Sequence, residues 1–146
     1  MKAFSFRLDR ILKLREDAEQ NQARRYGHAA RAEADLDRQC REQANYLAAV
    51  SERIAPLTGQ LTNVGVLRVL QLTSDAAATQ LEEARRARTE AEKTAEVERS
   101  QLAQARVERK SLERLKDQHH ADWRETAQRH DQREMDEIAA RTRGRR

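Results

Sequence analysis

Three of the four histidines, His119, His120 and His130, fall in one charged stretch with Asp122 and Asp131 close by. Imidazole and carboxylate are metal ligands and general acid–base groups, so their spacing decides what they can do. A helical metal site needs two ligands four residues apart, on one face. Four residues beyond His119 stands Trp123, and four beyond His120 stands Arg124. Neither is a ligand, and the spacing does not favour a metal. Cys40 is the sole cysteine, so no intramolecular disulfide forms and nothing argues for an oxidising compartment. On an apolar seam its thiol reads as a small core residue, not a nucleophile. Four scattered glycines cannot build a phosphate-cradling loop. No Ser/His/Asp arrangement is recognisable. Acidic pairs are plentiful, but on solvated helices with no pocket to shift their pKa values. The expectation is a non-enzymatic protein without metal or cofactor, acting by binding other proteins.

The elements that carry these residues are helices. Of 146 residues, 37% are charged and 3% aromatic, too little bulk for a layered core. Ala, Leu, Glu, Arg and Lys make up more than half of the chain, the bias of long helices and coiled coils. The only proline and two of the four glycines fall between Pro56 and Gly65, which places the single break there. Gly27 sits inside a helical stretch, at a cost of about 1 kcal/mol against alanine. The spacing predicts a first helix over about 4–57, a turn over 58–64, a second helix over about 65–141 and a basic tail over 142–146, as one coiled-coil domain spanning 1–146. Four arginines lie in the last six residues, and the other 25 basic residues balance 25 acidic ones. A neutral body does not support a nucleic-acid surface. No apolar run could be a signal core or cross a membrane, so a soluble, cytoplasmic protein is expected.

Apolar residues open the first helix at Phe4, Leu8, Ile11 and Leu12. They return at Leu36, Cys40, Leu47, Val50, Ile54, Leu57 and Leu61 in steps of three and four, with Gln43 in the vacant slot. Between these ends the helix offers mainly Ala18, Ala23, Ala29, Ala30, Ala32 and Ala34. The second helix reads Leu67, Leu70, Ser74, Ala77, Leu81, Ala84, Arg88, Ala91, Ala95, Glu98, Leu102, Ala105, Arg109, Leu112, Lys116, His119 and Trp123 along one seam. An antiparallel two-helix coiled coil turning near residue 61 pairs residues whose numbers add to roughly 122. Leu8 and Ile11 then face Leu112 and Leu115. Val50 and Ile54 face the Leu67–Leu72 cluster. The alanines at 18–34 face Ala91, Ala95, Ala103 and Ala105. The longer second helix overhangs beyond about residue 120, leaving Trp123, Met135 and Ile138 on a solitary helix. Two helices that each dimerise in parallel would carry the same periodicity. Five carboxylates precede a base by four residues and should pair along the helix: Asp9–Lys13, Asp37–Arg41, Glu82–Arg86, Glu125–Arg129 and Glu137–Arg141.

The opening Phe4-Ser5-Phe6-Arg7-Leu8-Asp9-Arg10-Ile11-Leu12-Lys13-Leu14-Arg15-Glu16 resembles the start of the flagellar export protein FliJ family. Residues 106–116, RVERKSLERLK, are similar to that family's basic stretch, and Met135-Asp136-Glu137-Ile138-Ala139 to its closing motif. Tyr46 stands where members often carry an aromatic before the turn. The resemblance spans the whole chain. It implies a non-enzymatic, cytoplasmic component of the flagellar type III export apparatus, peripherally associated with the inner membrane. Such proteins look like the shaft of the rotary ATP synthase. They bind and stimulate the hexameric export ATPase, contact the cytoplasmic domain of the export gate and escort export chaperones. Nucleic acid and direct membrane insertion are not implied. On this reading Arg7, Arg10, Arg15, Arg106, Arg109 and Lys110 are the candidate ATPase contacts, two short basic patches meeting at the open end; the alternative is that the arginines pair with Glu108, Glu113 and Glu16 on the same surface. Tyr46, Leu67, Leu70 and Leu72 are the candidate gate or chaperone contacts. The family's aromatics early in the second helix are replaced here by aliphatics over 66–72.

Two other readings fit the same residues. The equivalent stalk of a virulence secretion system would share the pattern. A helical-hairpin chaperone would need exposed apolar tips, which Leu57, Leu61, Val64 and Val66 could supply.

Overall fold

The structure, a computed structural model, describes residues 3–58 and 64–143. Helix α1 runs Asp9–Ile54 and continues as a 3-10 turn, Ala55–Leu57; helix α2 runs Val64–Arg143. The two pack against each other as a helical hairpin, and no strand occurs among the described residues. Pro56 falls at the start of the 3-10 turn, where its missing N–H ends the α-helical ladder. Thr58 Oγ1 donates to the carbonyls of Ala55 (2.8 Å) and Ile54 (3.3 Å), satisfying acceptors orphaned by the helix end.

The first helix begins at Asp9, not near residue 4. Residues 3–6 are irregular and 7–8 form a turn. The turn closes through the Asp9 N–H donating to the Phe6 carbonyl at 3.1 Å. Most of the expected turn region, 59–63, lies outside the described residues, as do Leu61 and the end of the basic tail.

The packing divides into two units: residues 1–21 with 103–146, and residues 22–102. In the second unit Cys40, Val50, Ala77, Leu81, Ala95 and Leu102 are buried, Ala77 to 1% exposure. Leu36, Leu47, Ile54, Leu67 and Leu70 are half-buried beside them. Gln43 occupies its expected slot, and its Oε1 is buried without a hydrogen-bond partner. Arg88, expected in the seam, lies outward, and its Nε reaches Asp37 on α1 at 3.1 Å. That pair adds to 125, within the spread of the cross-helix pairs, from 120 for Gln22–Glu98 to 128 for Glu19–Arg109, around the register of roughly 122 inferred from the turn.

The alanine stretch behaves differently from expectation. Ala23, Ala32 and Ala34 are exposed; Ala29 and Ala30 are half-buried. The seam passes through Glu33, Ala29, Tyr26 and Gln22, all half-buried. Continuing the three-four steps backwards from Leu36 gives these positions, so one of the alanines shares the seam with longer side chains. Ala95 on α2 borders a groove with Tyr26 and Glu33. Gln22 Nε2 donates to the Glu98 carbonyl at 3.1 Å and also to its carboxylate.

In the first unit Phe6 and Leu12 are buried, and Leu8, Leu112 and Leu115 are half-buried. Ile11, expected to face Leu112 and Leu115, is 45% exposed, and Leu14 is 62% exposed. Leu12 takes the seam position, followed by Glu16 and Glu19, while Ala18 and Ala103 are exposed. The cross-helix pair Asp9–Lys116 also adds to 125. Trp123 is half-buried and lies 6.0 Å from Phe4, ring to ring. It is therefore not on a solitary helix: the irregular start of the chain reaches it. Met135 and Ile138 are 65% and 61% exposed.

Candidate binding surfaces

The six candidate ATPase contacts belong to the first unit, and they separate into two groups. Arg109 Nε donates to Glu19 on α1 and its Nη1 to Glu113 on α2. Arg106 Nε lies 3.5 Å from the other oxygen of Glu19. Arg15 Nη1 sits 2.6 Å from Glu108, which Gln104 also approaches at 3.1 Å. These three arginines are tied into the hairpin. Two hydrogen-bonded carboxylates, Glu19 foremost, raise the Arg109 pKa. Arg7, Arg10 and Lys110 are exposed and make no ion pair among the described residues.

Sequence spacing assigned Asp9 to Lys13, but Asp9 Oδ1 accepts from Lys116 Nζ at 2.6 Å. That bond holds the Asp9 carboxyl below its ordinary range and raises the Lys116 ammonium above its own. Asp37–Arg41, Glu125–Arg129 and Glu137–Arg141 form as spaced. Glu82 pairs with Arg85, three residues on, not with Arg86.

Next to Lys116, α2 carries His119, His120 and Trp123. Phe6 meets His119 edge-on with ring centroids 5.7 Å apart, and Phe4 meets His120 at 4.8 Å. His120 stacks with Trp123 at 6.0 Å. Both histidines thus serve as aromatic surface. His130 has Glu134 four residues on, at 3.6 Å from Nδ1, and Asp131 at 4.0 Å, a spacing that the tests at His119 and His120 do not cover. All three are exposed, as expected of a solvated face.

The candidate gate or chaperone contacts lie in the second unit. Tyr46 and Leu72 are exposed, whereas Leu67 and Leu70 are half-buried in the seam. Val64, Val66 and Val69 are exposed around them. Val69 escaped the sequence reading although its place, off the Leu67–Leu70 seam, was a signal. Two open grooves border the seam in this unit. One is lined by Leu36, Gln43, Gln80 and Ala84, the other by Tyr26, Glu33, Glu92 and Ala95. Neither brings a nucleophile to a base.

The family model described as flagellar FliJ protein matches residues 4–146. The chain belongs to the FliJ family. No curated protein and no solved structure matches it. Membership makes the chain a component of the flagellar export apparatus, in type III protein export, and FliJ proteins are structural export components, not enzymes. The helical hairpin suits such a role, since two solvated helices offer long binding faces and no enclosed site. Among the described residues no helix is long and apolar enough to cross a membrane.

Proposed function

We propose that this FliJ-family chain is a cytoplasmic stalk, peripheral to the inner-membrane export apparatus, that binds and stimulates the export ATPase hexamer through its first unit. The observation that carries this reading is the division among its cations. Arg15, Arg106 and Arg109 neutralise carboxylates within the hairpin, while Arg7, Arg10 and Lys110 remain exposed and unpaired among the described residues. Unpaired cations are the ones available to acidic residues lining a ring. Arg15, Arg106 and Arg109 then support the interface by fixing the helices, not by direct contact. At the second unit, exposed Tyr46, Val66, Val69 and Leu72 form the surface for the export gate or for export chaperones. Leu67 and Leu70 hold that surface from within the seam.

The test is hydrolysis by the purified export ATPase with increasing amounts of the chain. Arg10→Glu with Lys110→Glu should abolish most stimulation, most clearly against wild type at low salt, where screening is weak. Its thermal melt should match wild type, since exposed charges contribute little to folding. Full stimulation by the folded double variant would remove these residues from the interface.

A further inference from the structure

The first helix does not reach the start of the described chain, yet Phe6 is only 7% exposed. Residues 3–8 form a non-helical arm. Phe4 and Phe6 pack on α2, while Ser5 and Arg7 are exposed.

The receiving surface is one stripe of α2. Lys116, His119, His120 and Trp123 follow one another at spacings of three, one and three residues, the pattern of a helix face. Phe6 contacts His119, and Lys116 Nζ lies 6.0 Å from the Phe6 ring centroid. Phe4 contacts His120 and Trp123. Among the described residues, the one backbone bond made by residues 3–7 is the turn that closes on Asp9. Side chains, not a backbone ladder, therefore fix the arm.

We propose that His120 and Trp123 are positioning residues that seat the N-terminal arm through Phe4 and so hold Arg7 outward for the partner. The partner half of this proposal rests on the ATPase reading above. A loose arm must be ordered when the partner binds, and that ordering weakens affinity; a seated arm is ordered beforehand. The contribution of Arg7 therefore depends on Phe4, His120 and Trp123, although none of the three needs to touch the partner.

Trp123 is the only tryptophan, so its fluorescence reports the seat directly. In the full chain, Phe4→Ala and His120→Ala should red-shift its emission and raise its accessibility to acrylamide. Phe4→Ala should also speed amide exchange over residues 5–8, with far-UV circular dichroism unchanged. Unchanged emission and exchange in Phe4→Ala would overturn the seat. Binding to the purified export ATPase then reads the positioning role. Arg7→Ala and Phe4→Ala should each weaken binding roughly tenfold, and the double variant no more than either alone. Trp123→Phe should keep wild-type affinity, and Trp123→Ala should behave as Phe4→Ala. Losses that multiply would overturn positioning, because a merely structural role of the arm does not couple to Arg7. If wild type does not bind the ATPase, the partner half falls with the ATPase reading, while emission and exchange still decide the seat.

Discussion

Lys116 Nζ stands 2.6 Å from Asp9 Oδ1 and 6.0 Å from the Phe6 ring centroid. One ammonium on α2 thereby meets both the first residue of α1 and the arm before it.

This pair gives the hairpin a defined pH window. The Asp9 pKa is lowered in the fold, so its contribution is present above the unfolded value of about 3.9 and is lost as pH falls through the lower folded value. The Lys116 pKa is raised, so its contribution is complete below about 10.4 and is lost as pH rises through the higher folded value. Asp9→Asn should lower the melting temperature at neutral pH and flatten its fall below pH 4. A variant that loses stability equally at neutral pH and at pH 2 would contradict the pairing.

Burial predicts a sharp difference between two leucines. Leu102→Ala removes a buried seam residue and should cost about 2–3 kcal/mol, the low end for such truncations because a two-helix seam can partly collapse. Leu14→Ala removes an exposed side chain and should stay within about 0.5 kcal/mol of wild type. Equal shifts in urea midpoints would contradict the assigned seam.

Glu19 is 18% exposed and holds both Arg106 and Arg109, whereas Asp35 is 65% exposed and holds only Arg38. Glu19→Ala should therefore lower the melting temperature clearly more than Asp35→Ala, since two cations lose their partner. Arg109→Glu should destabilise as well, by facing Glu19 and Glu113 with a third carboxylate. A melt of Arg109→Glu that matches wild type would show that the network is not maintained in solution.

Ala95, which borders a groove with Tyr26 and Glu33, should resist enlargement. Ala95 is buried, and a larger residue there competes with the side chains of the opposite helix. Ala95→Leu should cost about 1–3 kcal/mol by overpacking, and Ala103→Leu, at an exposed position, should not. Thermal melts of the two variants check this directly.

Much of the architecture was legible without coordinates. Pro56 and the absence of other breakers dictated two helices, because one missing N–H outweighs any local helix preference. Cys40, Val50, Ala77, Leu81 and Leu102 lay on the seam that three-four spacing defines, since that spacing is a property of each helix alone. The family resemblance was likewise written in local segments at both ends. Local sequence did not decide what crosses between helices. Asp9 had Lys13 at the right helical distance, yet bonds Lys116. The alanines of 18–34 looked like a close-packing surface, yet the seam keeps Ala29 and otherwise passes through Glu19, Gln22, Tyr26 and Glu33. Two short basic patches could face a partner or pair with nearby carboxylates by sequence alone; three of the six cations pair within the hairpin, through Glu108, Glu113 and the unforeseen Glu19. Which side chains meet across the hairpin is invisible along either helix. Only tertiary packing, through the cross-helix pairs and the aromatic arm, decided it.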